Sequence, residues 1–162
     1  MGEANQRAGG ESEVIRINGD IVIDRAVEDV FDYVADERNE PTYNAQMRLA
    51  EKISEGPIGV GTQYRAEVVS GGRPVSMVIE CTEYERPRRL ASMTTMSSMD
   101  IAYTLTFEPV QEGTRMRWSG EIAPHGMLKL MGPLVAWMGR RQERRIWIGL
   151  KGLLEGNGAS VH

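Results

Sequence analysis

A series of short alternating segments followed by one long amphipathic segment, residues 127–154, restricts this chain more than any other feature of it. In the long segment apolar residues recur every three or four positions, and in the earlier segments at every second position. A period of two gives a strand with one buried face, and a period of 3.6 gives a helix with one buried stripe. A run of antiparallel strands and a single long helix bury both faces together only when the sheet curls around the helix. That arrangement leaves room between them for a small molecule.

Residues 14–23 read as a strand with a bulge or tight bend at Asn18-Gly19-Asp20. Asp24 can cap the next element, where Val27, Val30, Phe31 and Val34 recur at helical spacing as far as Ala35. Residues 36–44, with Asn39-Glu40-Pro41, form a turn or a second helical turn. Strands are predicted over 48–53, 64–69, 74–85, 90–96, 100–108 and 114–123, with a hairpin at Ser70-Gly71-Gly72-Arg73, for seven in all. The final helix spans about 42 Å at 1.5 Å per residue. Pro133 either kinks it or marks its proper start, with a separate turn before it. One domain therefore covers residues 14–155, between flexible tails at 1–13 and 156–162.

A formal charge of −4 argues against non-specific nucleic-acid binding, which needs a basic face. No apolar run approaches the roughly 20 residues of a membrane span. Residues 1–13 lack the apolar core of a secretory signal, so the expected location is the cytoplasm. Cys81 alone makes no internal disulfide, and two histidines, His125 and His162, make no metal cluster; neither a metal nor a cofactor is expected.

On a helical wheel Met127, Leu128, Met131, Val135, Met138, Gln142, Ile146, Gly149, Leu150 and Leu153 share one face. Strand alternation sets against them Ile21, Ile23, Tyr64, Ala66, Val68, Val75, Met77, Ile79, Cys81, Tyr103, Leu105, Phe107, Met116, Trp118 and Ile122. Residues 90–96 do not alternate cleanly. Met77, Met116, Met131 and Met138 suit either an adaptable apolar ligand or a filled core. Gln142 is the one amide in the stripe. It needs Tyr64, Tyr103, water or a ligand as partner, unless the helix rolls and takes it to solvent. For catalysis this interior offers tyrosines, Cys81 and Gln142 but no evident carboxylate or histidine. Cys81 reads as a buried inert thiol, His125 as a turn or cap residue, and Asp32 and Asp36 as a solvated helix face. The run Arg140-Arg141-Gln142-Glu143-Arg144-Arg145 is a solvated face, or else a contact for anionic headgroups, a partner or a ligand's acidic end. Trp137 and Trp147 are expected on the same outer side, and homodimerisation is the simplest form of such an interface.

Several fragments, in this order and spacing, resemble the START-like or Bet v 1-like superfamily, and within it the bacterial polyketide cyclase/dehydrase and lipid-transport group. They are Ile21-Val22-Ile23 leading into Val30-Phe31-Asp32-Tyr33-Val34-Ala35-Asp36, then Gly59-Val60-Gly61-Thr62, Glu83-Tyr84-Glu85-Arg86-Pro87-Arg88-Arg89-Leu90 and Glu112-Gly113-Thr114-Arg115-Met116. The resemblance implies an α+β helix-grip fold, a seven-stranded antiparallel sheet wrapped around the C-terminal helix with two short helices closing one end. Where the group usually carries a tryptophan after the first helix, this chain has Pro41-Thr42-Tyr43, which puts Tyr43 at the pocket mouth.

The expected ligand-binding residues are Tyr43, Tyr64, Met77, Ile79, Tyr103, Leu105, Met116, Trp118, Met131, Met138 and Gln142. Three functions fit. The first is binding or carrying a small hydrophobic or amphipathic molecule of polyketide, fatty-acid or isoprenoid type. The second is an aromatase/cyclase-type reaction guided by pocket tyrosines. The third is a co-chaperone-like interaction module whose interior is simply filled.

Overall fold

The computed structural model describes residues 14–156, so the tails expected at 1–13 and 156–162 lie outside the described residues except for Gly156, which ends the last helix. In chain order the elements are β1 (Ile15–Ile23), α1 (Val27–Ala35), a 3-10 helix (Glu37–Thr42), β2 (Met47–Lys52), β3 (Gln63–Ser70), β4 (Arg73–Glu85), β5 (Arg89–Thr95), β6 (Met99–Val110), β7 (Gly113–Pro124), a second 3-10 helix (Gly126–Met131) and α2 (Gly132–Gly156). The seven strands form one antiparallel sheet in the order β1-β7-β6-β5-β4-β3-β2. Strands β2 to β7 are a simple meander. The segment through α1 carries the chain from β1, at one edge, to β2 at the other, so α1 and the first 3-10 helix close one end of the curved sheet. This is the α+β helix-grip architecture.

Strict alternation sets the concave face. In β7, Thr114, Met116, Trp118, Gly120 and Ile122 point inward, while Arg115, Arg117 and Glu121 point out. In β6, Leu105 and Phe107 do the same. Phe31 of α1 meets Phe107 and Tyr84 edge-on at centroid distances of 5.1 and 5.3 Å, which seats the short helix on this wall. Strand β5 has no clean alternation for a specific reason: β4 carries a register shift between Cys81 and Glu83, so Leu90 and Ala91 are buried consecutively.

Two local expectations are corrected. Strand β1 is unbroken at Asn18-Gly19-Asp20, which pair in register with Ser119, Trp118 and Arg117. Gly19 is there because the Trp118 indole lies across it; a Cβ at Gly19 would sit 2.3 Å from that ring. Gly19→Ala is therefore expected to destabilise the fold by about 1–3 kcal/mol, an overpacking cost, read from the midpoint of urea unfolding. An unchanged midpoint would mean that Trp118 does not occupy this position. Asp24 does not cap α1, whose N-cap is Ala26. Instead the Asp24 N–H donates to Glu155 Oε1 at 2.9 Å, tying the end of β1 to the end of α2.

Helix α2 properly begins at Gly132, with Pro133 in the first turn where its missing N–H costs nothing, and a separate 3-10 turn precedes it. Its buried residues, Ile146, Trp147, Leu150 and Leu154, all lie in the second half. There Lys151 Nζ donates to the Val22 carbonyl at 2.6 Å and pairs with Glu155 at 2.6 Å. The first half rests more lightly, with Val135 and Ala136 partly buried against Ile15, Ile17 and Ile122 at the β1–β7 edge. No described helix is long and apolar enough to cross a membrane.

Candidate functional site

The inward side of α2 carries Val135, Ala136, Gly139, Glu143, Ile146, Trp147, Leu150 and Leu154. This face is rolled by about 80° from the stripe read off the sequence, most of one 100° residue step. Three expected lining residues are thereby corrected. Gln142 is exposed, Met131 is 46% exposed and Met138 54% exposed. Trp147, expected outside, is buried. The physical reason is that Trp147 and Glu143 complete one another on the inner side, which a hydrophobicity pattern reads as a break.

The remaining expected residues line the concave side. Tyr43, Tyr64, Met77, Ile79, Leu105, Met116 and Trp118 are buried, and Tyr103 is half-buried. They divide into two groups. Met47, Tyr64, Ala66, Met77 and Ile79 form a cluster on β2–β4. Tyr43, Leu105, Met116 and Trp118 belong to the larger core under α1 and the second half of α2. Trp147 stands at the centre of an aromatic group, with centroid distances of 6.1 Å to Tyr43, 6.3 Å to Tyr103 and 6.0 Å to Trp118. Close approach makes this possible: a Cβ at Gly149 would sit 2.6 Å from the Tyr43 carbonyl oxygen.

The interior also holds carboxyl groups, contrary to the expectation of none. Glu143 Oε2 accepts from the Tyr103 hydroxyl at 2.5 Å and from Trp147 Nε1 at 3.1 Å, and the same indole N–H reaches the Tyr103 oxygen at 3.0 Å. Burial pushes the Glu143 carboxyl up to about 7, against the pull of its two hydrogen bonds. Glu40 adds repulsion from the 3-10 helix, where it accepts from Asn44 Nδ2 at 2.7 Å. Glu37, on the same turn, is held well above the usual carboxyl range by burial and then by Glu40. Burial followed by these carboxylates likewise raises the Tyr43 phenol. Three acids and two tyrosines thus converge where the first 3-10 helix meets α2. The signal that could have found Glu143 is its i, i+4 spacing to Trp147, one turn of helix.

Among the described residues the hollow expected around Gln142 and the methionines is not seen, since Gln142, Met131 and Met138 face solvent, and aromatic side chains occupy the space beneath the second half of α2. A crevice of about 10 Å³, room for one water at most, lies beside it, lined by Ala35, Glu37, Tyr64, Ile79, Cys81, Leu90, Ala91 and Ser92. Burial lifts the Cys81 thiol to about 11, which leaves it protonated and inert at neutral pH. A larger depression of about 580 Å³ lies on the opposite, convex face, lined by Asn18, Gly19, Asp20, Arg89, Thr104, Thr106, Arg117, Trp118 and Ser119.

Solved structures share this architecture. A START superfamily protein from Mycobacterium smegmatis superposes with a TM-score of 0.76 at 13% identity, over 87% of this chain and 97% of that one. TTHA0849 from Thermus thermophilus gives 0.73 at 20% identity over 92% and 100%. The di-domain ARO/CYC StfQ from the steffimycin biosynthetic pathway gives 0.70 at 10% identity over 90% of this chain and 52% of that one. No curated protein matches by sequence. The sequence profile described as polyketide cyclase/dehydrase and lipid transport matches residues 14–155, nearly all of the described chain. With the helix-grip fold in place, that match makes the chain a member of the polyketide cyclase/dehydrase and lipid-transport family.

Proposed function

We propose that this chain binds a small amphipathic molecule of polyketide, fatty-acid or isoprenoid type. Its apolar body would lie against the concave face, and its polar group would meet Glu143, Tyr103 and Trp147. The family and the START-like fold support hydrophobic ligand binding in general. The observation that carries the finer reading is Glu143, a carboxyl poised near neutrality among aromatic rings, whose hydrogen bonds among the described residues come from the neutral donors Tyr103 and Trp147. An unpaired buried acid costs stability, so its placement points to recognition or proton transfer. Because Tyr43, Trp118 and Trp147 fill the space beneath α2, admission of the molecule involves movement of the lightly packed first half of that helix.

The same pair supports a second reading as an enzyme. A carboxyl near 7, hydrogen-bonded to a phenol, is matched to moving a proton at physiological pH. Native mass spectrometry of the freshly purified chain, with displacement of 1-anilinonaphthalene-8-sulfonate by the mass found, tests binding. Tyr103→Phe removes one hydrogen bond and is expected to weaken binding about three- to tenfold. If Glu143→Gln abolishes turnover of the retained molecule while binding survives, the enzyme reading holds. If no mass is retained and the probe does not bind, both readings fall.

A further inference from the structure

The outward side of α2 and the turn before it carry a surface that the interior does not use. Met127 and Leu130, on the second 3-10 helix, are 84% and 85% exposed, and Trp137 is 57% exposed. Leu134, Trp137, Arg141, Arg145 and Ile148 recur every three or four positions, so they form one stripe, and the Arg141 guanidinium lies over the Trp137 ring at 5.5 Å. Residues 126–145 hold Lys129 and four arginines against one acid, Glu143, which faces inward, in a chain whose formal charge is −4. Among the described residues none of these five cations forms a salt bridge, although arginines elsewhere on the surface are paired.

We propose that this stripe docks the protein on an anionic lipid surface, with Met127 and Leu130 entering the headgroup–acyl boundary, Trp137 at the interface, and Arg141 and Arg145 on the headgroups. The occupant follows from the chemistry. Apolar tips on a protruding turn, backed by unpaired cations and an interfacial tryptophan, match a negatively charged bilayer surface. A second copy of the chain is disfavoured, because a two-fold contact would set each arginine stripe against its own image. Nucleic acid would leave the exposed methionine and leucine without a partner. This docking is independent of whether the interior takes a ligand.

The test is flotation of the full chain with vesicles of phosphatidylcholine alone and of phosphatidylcholine containing phosphatidylglycerol. Binding is expected only on the anionic vesicles, weakening as salt is raised. A blue shift in emission should accompany it and vanish in Trp137→Phe, since Trp118 and Trp147 are already buried. Neutralising Arg141 and Arg145 together as Gln should lower partitioning about thirtyfold, and Met127→Ser with Leu130→Ser should remove the shift. All five positions are exposed, so these variants are expected to fold, and circular dichroism checks this. Equal partitioning on both vesicles, or none, overturns the proposal. So does a dimer in light scattering that Trp137→Ser disperses, which would make the stripe a self-interface. Binding to polyglutamate as tight as to anionic vesicles, indifferent to Met127→Ser, would instead indicate an acidic protein partner and overturn it too.

Discussion

Trp147→Ala is expected to remove about 3–5 kcal/mol of stability, the largest single loss in the chain, measured by urea unfolding. The indole is buried and stands within 6.3 Å, centroid to centroid, of Tyr43, Tyr103 and Trp118. Its removal leaves a cavity walled by three rings and takes one of two donors from Glu143. Trp147→Phe separates these effects: the ring returns and the N–H does not, so the loss should fall to about 1–2 kcal/mol. Free indole should partly rescue the alanine variant, because an apolar cavity stays dry and takes up a fitting aromatic. A loss below about 1 kcal/mol, with no rescue, would mean that α2 does not bury its second half as described.

The contribution of Glu143 to stability should fall between about pH 4.5 and 7 and level off above that range. The Glu143 carboxyl is raised from 4.5 to about 7 by burial, so in this window the unfolded chain releases a proton that the folded chain keeps. The stabilisation relative to the ionised form is fully present below the lower value and lost as the pH passes the upper one. It amounts to about 3 kcal/mol at 1.36 kcal/mol per unit. Glu37 is raised for the same reason and acts with the same sign. Glu143→Gln should therefore remove its share of the slope, making the variant more stable than the parent at about pH 8 relative to their difference at about pH 4. Parallel curves for the two proteins across this range would show that the Glu143 carboxyl is solvated.

The architecture could be read from the sequence because strand period and turn chemistry agree over most of the chain. The Gly71-Gly72 hairpin, the inward series of β7 and the long last helix all lie close to where they were expected. Side-chain facing was legible wherever the alternation was clean, as in β6 and β7. It failed at β5 because an extra residue sits in the neighbouring strand β4, and pairing partners are invisible to a one-dimensional pattern. It failed on α2 because the helix uses a glutamate and a tryptophan inward while leaving methionine and leucine in solvent. A wheel weighted by hydrophobicity prefers the opposite roll. The candidate site was hidden for the same reason: Glu143 sits in an arginine-rich run that looks like a surface, and the hydrogen bonds from Tyr103 and Trp147 mark it as interior.

The clamp of Lys151 and Glu155 onto the end of β1 gives the long helix a pivot at its far end. A lever fixed there keeps Leu150 and Leu154 in place, while its leading turns rest on the few contacts of Val135 and Ala136. Under the proposed function the first half of α2 acts as a hinged cover, and the exposed apolar and cationic stripe lies on its outward side.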